Sequence, residues 1–579
     1  LRAAGALLSA APFQHSYPHS WRSKARVIYR CTPQWFIPMD ANLPPLPFRG
    51  EGRGEGNVAD GCSTPPLPTL SPEGARAKTL RQTALQAITD TRWVPAKGEN
   101  RIRSMVEGRP DWVISRQRAW GVPITLFVNR KTGQYLKDPA VNARIVAAMR
   151  QSGVDAWTDE AAPALLGPDY DIADYERVTD ILDVWFDSGC THAFVLESGK
   201  WPDLTRPEGH VGPRADLYLE GSDQHRGWFQ SSLMESCGTR GHAPYKAVLT
   251  HGFTMDAKGM KMSKSLGNTI DPLTLIKDSG ADILRLWALS VDFTEDHRIG
   301  KEILAGVSDQ YRKLRNTFRY LLGALAGFDE AERVAVEDMP ELERYVLHLL
   351  ADMDVKLRQA VADFDYNTYV RTVADFANND LSAFFFDIRK DCLYCDIGPA
   401  HPLGTDKRRA YRTVLDVMFH ALVRYAAPVL VFTAEEVWGT RYPDAGSVHL
   451  LEWPELPELG KDNTGNRDLD GLIDIERKWD RLRKLRRDVT EAIEPLRRDK
   501  TVRSSLEAEV KVGSDSTSDG DFSAAELAEL FITADVAVAP VEMIEVCRTN
   551  HHKCGRCWRH LPSVIDDGTL CGRCSEMLA

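Results

Sequence analysis

The chain has 579 residues, a net charge of -11 and 43% hydrophobic residues. That length holds three or more domains, and the negative charge excludes a small, globally basic nucleic-acid binder, so any RNA site must be a local basic patch. No stretch reaches the ~20 apolar residues needed to cross a bilayer. The eleven cysteines are scattered apart from one cluster at the end. This suits a reduced, cytoplasmic setting with a metal site better than a disulfide framework.

The chain opens on Leu1, and "LRAAGALLSAAPF" runs straight into the polar, aromatic "QHSYPHSWRSK". We read this as an internal start, not a signal peptide. Residues 26–37, "RVIYRCTPQWFI", predict one or two strands. Residues 42–77 are rich in Pro and Gly, with a tandem "RGEGRGEG" and little apolar content, which predicts a disordered insertion. From about 80 to 300, short apolar runs ("DWVIS", "DLYLE", "AVLTHGF") alternate with helical stretches. That pattern predicts a doubly wound α/β sheet.

Beyond residue 300 the period turns helical. Leu314, Phe318, Leu321, Leu322 and Leu325 share one face, and Arg312, Arg315 and Arg319 another. Residues 479–500 predict a second basic helix, interrupted at Pro495, and 513–521 a polar loop.

Three stretches carry chemistry. Cys554, Cys557, Cys571 and Cys574 form two C-x2-C knuckles, a spacing that directs four thiolates at one point and predicts a structural Zn2+ site. Arg556, Arg559, His560 and Arg573 surround the knuckles and are candidates to face RNA. Cys392 and Cys395 form another C-x2-C without a second pair nearby, read as incidental. "DLYLEGSDQHRGWF" (216–229) is a strand leading into a polar loop, the place where open α/β sheets bind ligands. It would present Glu220, Gly221, Asp223, Gln224 and His225. "GMKMSKSLGN" (259–268) is, on its own, an ordinary polar loop with two lysines.

Together these stretches resemble the class I aminoacyl-tRNA synthetases. "EGSDQHRGWF" followed by "LTHGFTMDAKGMKMSKSLGN" looks like the second half of their catalytic domain. "HSYPHSWRSK", "CTPQWFI", "RPDWVISRQRAWGVPI", "DILDVWFDSG", "GADILRLWALS" and the final cysteines fit in order. The pattern is most similar to the bacterial-type isoleucyl-tRNA synthetases and departs from the valyl and leucyl enzymes.

The resemblance implies an α/β fold: the second half of a Rossmann-type catalytic domain, an α-helical anticodon-binding domain and a C-terminal zinc ribbon. The implied domains are 1–32 (end of an editing insertion), 33–300 (catalytic half, with the insertion 42–77), 301–455 (anticodon-binding), 456–545 (junction) and 546–579 (ribbon). The implied activity is ATP-dependent ligation of L-isoleucine to its tRNA through an isoleucyl-adenylate. ATP with Mg2+, isoleucine and the tRNA would be the partners of a cytoplasmic monomer.

Residues 261–265 would be the K-M-S-K-S loop that closes over ATP. Attack at the α-phosphorus expels pyrophosphate, and an ammonium that meets the growing negative charge lowers the barrier. Lys264 takes that role, with Lys261 assisting. Glu220, Gly221, Asp223, Gln224 and Trp228 would contact the adenylate, with Trp185 beside the side-chain pocket. The family's HIGH motif has no match here, so the reading expects a C-terminal fragment, inactive by itself. The alternatives are a catalytically inactive tRNA-binding remnant and a valyl-specific relative.

Overall fold

The computed structural model describes residues 2–20, 24–29, 31–43, 78–207, 209–264, 266–459, 469–513, 522–541 and 543–579. All but the first two residues of the Pro/Gly-rich insertion, and all but Gly513 of the loop 513–521, lie outside them. The chain divides into two compact units, Leu1–His251 and Gly252–Ala579.

The first unit is built on a parallel sheet. Thr79 starts helix α1 (Leu80–Thr89) with a reciprocal cap: its side chain accepts the Gln82 amide, and the Gln82 side chain accepts the Thr79 amide. Leu80, Ala84, Ala87 and Ile88 fall on the buried face of α1. Strand β1 (Arg92–Val94) and helix α2 (Lys97–Glu107) follow. The sheet continues with β2 (Ala215–Gly221), helix α3 (Trp228–Arg240) and β3 (Tyr245–His251).

The strand order is β1-β3-β2, all parallel, with Trp93 and Tyr218 both in register with Val248. Trp93, Tyr218, Phe229, Leu233, Tyr245 and Val248 form the core between sheet and helices. The doubly wound sheet predicted for 80–300 thus has three parallel strands among the described residues of this unit. The rest of the apolar runs build small two-stranded ribbons.

Among the described residues of 26–37, the strand lies at Phe36–Ile37, paired antiparallel to Trp112–Val113. Pro33 and Pro38 flank it, and neither has an amide proton to extend a ladder.

The second unit is mainly helical. Helices α4 (Lys301–Ala324), α5 (Glu341–Asp363), α6 (Phe386–Cys395), α7 (Asp406–Ala426) and α8 (Leu469–Arg498) contribute to one core. Leu314, Phe318, Leu321, Leu350, Phe385, Phe419 and Leu422 lie within it. The predicted apolar stripe of α4 is therefore its buried face, although Leu322 is only partly covered.

The break predicted at Pro495 does not occur, and α8 continues to Arg498. Pro495 lies in the last turn on the exposed side, where a missing hydrogen bond is cheap because water satisfies the orphaned carbonyl.

A three-stranded sheet follows: β4 (Ala508–Gly513) sits between β5 (Asp535–Ala539), parallel to it, and β6 (Glu545–Arg548), antiparallel to it. Helix α9 (Ala524–Phe531) packs beside it. A buried charge network ties these parts together. Arg389 of α6 makes two bonds to Glu343 of α5, at 2.7 and 2.8 Å, and one to Glu529 of α9 at 2.7 Å. The side chains of Arg389 and Glu343 are 6% and 0% exposed.

Removing one partner strands a buried charge, which typically costs about 3–5 kcal/mol. Arg389→Ala is therefore expected to lower the unfolding free energy of the second unit by about 3–5 kcal/mol, read as a lower urea midpoint at unchanged slope. An unchanged midpoint would show that the network carries no net stability.

Candidate active site and metal centre

At the carboxyl end of β2 the chain makes a 3-10 turn, Ser222–His225, before entering α3. Strand ends of this kind are where open parallel sheets present ligand-binding groups. Glu220 and Asp223 are exposed, Gly221 is buried and Gln224 is half-buried. The Gln224 side-chain oxygen accepts the Trp228 amide at 3.0 Å, so it serves one of the free amides at the start of α3.

Trp228 stacks on Tyr218, with ring centres 4.0 Å apart and planes 9° from parallel. Its indole donates to the Ser188 carbonyl at 2.9 Å. A Cβ on Gly227 would lie 2.9 Å from the Trp185 ring and 2.4 Å from Gln224 Oε1. The two tryptophans named from the sequence thus converge on the same turn.

Trp185 is 43% exposed, and its amide donates to Asp183 at 3.1 Å. Asp183 in turn pairs with Arg116. Behind the turn, His192 and Glu235 form a buried pair. Burial pushes the Tyr218 hydroxyl up to about 12, so it stays a neutral hydrogen-bonding group.

In the second unit, the K-M-S-K-S stretch is pinned at its base and open at its tip. Asp256 Oδ1 accepts the amides of Lys258 and Met260 at 2.9 and 2.8 Å. Gly259, at φ 80°, supplies the left-handed residue this tight turn requires. Asn268 closes the stretch. Its oxygen accepts the Ser263 amide at 2.9 Å, and its NH2 group donates to Asp256 at 2.9 Å and to the Lys261 carbonyl at 3.3 Å.

The Asn268 hydrogen bond, with help from the Met260 amide, holds the Asp256 carboxyl below its ordinary range. Lys264 is exposed at the tip, and the Lys261 ammonium lies 5.5 Å from the Phe253 ring centre. Ser265 lies outside the described residues. Asp256 and Asn268 were missed as site residues from sequence; their signal is the side-chain type that closes turns on its own backbone.

The four ribbon cysteines are all buried, with their sulfur atoms within 4.8 Å of one another. Cys557 and Cys571 sulfurs are 3.8 Å apart. A tetrahedron with zinc–sulfur bonds of about 2.3 Å has an edge of about 3.8 Å, so the donor set fits such an ion. The Cys571 amide points at Cys554 Sγ, 3.4 Å away, as a thiolate acceptor favours. This buried four-cysteine group is suited to hold a metal such as zinc.

The ribbon is fastened to the helical part. Arg573 pairs with Asp391 at 2.7 Å and Asp396 at 3.3 Å, and Arg556 donates to the Ile397 carbonyl at 2.7 Å. His560 Nδ1 lies 2.7 Å from the His551 carbonyl. Three of the four groups read as candidates to face RNA thus have partners within the protein. Cys392 is buried in the helical core, and Cys395 packs against the four ribbon cysteines without belonging to the ligand set.

The basic helices show the same feature. Arg315 makes a bidentate pair with Glu436, both bonds 2.8 Å, and Arg312 pairs with Asp309. On α8, Arg483 pairs with Asp380 at 2.6 Å and Arg486 with Asp387 at 2.7 Å. Arg319, Arg481, Lys484 and Arg487 are exposed.

Two family descriptions match the chain in order. The family described as tRNA synthetases class I (I, L, M and V) matches residues 71–300, and the anticodon-binding domain of tRNA ligase matches residues 343–512. The isoleucine–tRNA ligase of Zymomonas mobilis subsp. mobilis is 58% identical over 580 residues, covering 100% of this chain and 57% of that protein. Those of Caulobacter vibrioides and Rhodopseudomonas palustris are 48% and 47% identical, covering 97% and 100% of this chain and 54% of each relative. The chain spans a little over half the length of these relatives. With both family descriptions matched in order, the chain carries a class I tRNA synthetase region followed by a tRNA ligase anticodon-binding domain, and it is similar along essentially its whole length to part of the isoleucine–tRNA ligases.

Proposed function

We propose that this chain supplies the adenylate-facing, pyrophosphate-facing and tRNA-holding parts of an ATP-dependent isoleucine–tRNA ligase. The observation that carries the reading is the 58% identity to an isoleucine–tRNA ligase along the whole chain. The exposed Glu220–Gln224 turn and the clasped lysine loop support it. Glu220, Gly221, Asp223 and Gln224 hold the isoleucyl-adenylate, with Trp228 and Trp185 bordering the amino-acid side chain. Lys264 meets the charge that develops on pyrophosphate, and Lys261 assists. Mg2+ accompanies the ATP.

The four cysteines hold one structural Zn2+, which keeps the ribbon folded against the helical part. The protein acts as a monomer in the cytoplasm; no helix among the described residues is long and apolar enough to cross a membrane.

The tRNA-holding half of the proposal rests on the exposed cations of α4 and α8, which provide local positive charge despite the net charge of -11. Each phosphate contacted contributes about −0.7 to −0.9 to the slope of log affinity against log salt. Binding of the tRNA for isoleucine is expected to weaken steeply between low and moderate salt, and to exceed the binding of an unrelated tRNA. Salt-independent binding, or equal binding of both tRNAs, would remove the RNA half of this function.

A further inference from the structure

His225 has no part in the chemistry proposed above, yet it is the most enclosed side chain of the substrate-facing turn. It is 2% exposed. Its Nδ1 lies 3.0 Å from the Ser222 carbonyl, closing the 3-10 turn from inside. Its ring lies 28° from parallel to Trp93 of β1 and meets Phe229 of α3 edge-on at 5.5 Å.

The outer nitrogen, Nε2, is buried without a hydrogen-bond partner among the described residues. What it meets is Gly98 of α2, where a Cβ would lie 3.0 Å from Nε2 and 3.6 Å from the Trp93 ring. Burial moves the imidazole below its ordinary range, with the Ser222 carbonyl opposing and Arg101 reinforcing this. A neutral ring that donates from Nδ1 to the carbonyl is the form these surroundings favour.

The ring therefore links three elements. Its inner edge bonds the Ser222 carbonyl across the turn, its face stacks on Trp93 of β1, it meets Phe229 of α3 edge-on, and its outer edge lies close against Gly98, where a Cβ would make a tight 3.0 Å contact. The turn it closes carries Asp223 and Gln224 and directly follows Glu220.

We propose that His225 and Gly98 form a positioning pair that fixes the height and orientation of the Glu220–Gln224 turn toward its ligand. The inference rests on the adenylate-binding reading of that turn and adds residues that do not themselves touch substrate. Sub-ångström placement matters because displacement of a binding group by about 1 Å can cost 10²-fold in a reaction step.

The pair can be tested by clash and rescue in the chain extended to the full length of its relatives, of which it spans a little over half. Gly98→Ala places a methyl group against Nε2 and pushes the ring inward. His225→Asn keeps an N–H donor at the level of Nδ1 but lacks the outer edge of the ring. His225→Leu removes the donor altogether.

Two readouts are followed: amide hydrogen exchange at residues 222–225, and calorimetric affinity for a non-hydrolysable isoleucyl-adenylate analogue. Gly98→Ala is expected to speed exchange in the turn and weaken the analogue about 10- to 100-fold. Adding His225→Asn should restore both readouts to within a few-fold, whereas adding His225→Leu should not. If Gly98→Ala does not fold, the two His225 variants alone decide, with Asn near wild type and Leu loosened.

Wild-type behaviour of Gly98→Ala, or equal rescue by Asn and Leu, would overturn the pair. A wild-type chain that fails to bind the analogue would instead count against the adenylate reading, and the exchange data would still decide whether Gly98 and His225 fix the turn.

Discussion

Lys264→Ala is expected to lower the rate of isoleucyl-adenylate formation by about 10²–10³, the usual loss when one charge-stabilising donor is removed. The experiment is run in the chain extended to the full length of its relatives, because the chain spans 57% of one of them. Lys264 sits exposed at the tip of a loop whose base is tied by Asp256 and Asn268. A cation so placed is free to meet charge that appears only as pyrophosphate leaves. An interaction made mainly in the transition state lowers the rate while leaving ground-state ATP affinity nearly unchanged.

Glu220→Gln should behave differently. It lies at the end of β2 in the other compact unit, and its loss should appear as weaker isoleucine or adenylate binding. Pre-steady-state adenylate formation at several ATP concentrations separates the two patterns. A Lys264→Ala protein with a wild-type rate and a raised ATP dissociation constant would mean that the lysine merely binds ATP.

Cys571→Ser is expected to take the zinc content of the purified, reduced protein from about one per chain to near zero. Three thiolates and a hydroxyl do not replace a closed four-sulfur site, and structural zinc contributes folding energy directly. The effect should propagate locally. The ribbon touches the helical part through Arg573 with Asp391 and Asp396, through Arg556 and through Cys395, so exchange protection should fall in 546–579 and around 391–397. Protection of the sheet in the first unit should not change. Metal analysis and hydrogen exchange on the same sample check both halves. Full zinc retention in Cys571→Ser would exclude Cys571 as a ligand.

The ribbon was the most legible part of the sequence, because two C-x2-C knuckles bring their own local geometry and need little from the rest of the fold. The Glu220–Trp228 turn was legible for a related reason: a strand followed by Gly and polar residues marks a strand end. Contacts made over long sequence distances were hidden. Arg315 reads as a free cation until Glu436, 121 residues later, is folded onto it. Arg573 pairs with Asp391 across 182 residues.

Cys395 reads as half of a stray C-x2-C, and only the fold carries it to the ribbon. The clasp between Asp256 and Asn268 is short-range, but Asp and Asn are so common in turns that neither stood out. The two-residue strand at 36–37 among the described residues, where one or two strands were expected over 26–37, reflects flanking prolines whose effect outweighs the β-branched and aromatic residues between them.

The most direct test of the central claim is amino-acid-dependent ATP–pyrophosphate exchange by the chain extended to its relatives' full length, with isoleucine, valine, leucine and methionine compared under one set of conditions. The account predicts exchange driven by isoleucine, with valine a distant second because it leaves one methylene of the pocket unfilled, and with exchange strongly reduced by Lys264→Ala. Exchange driven best by valine, leucine or methionine, or no exchange with any of the four, would contradict it.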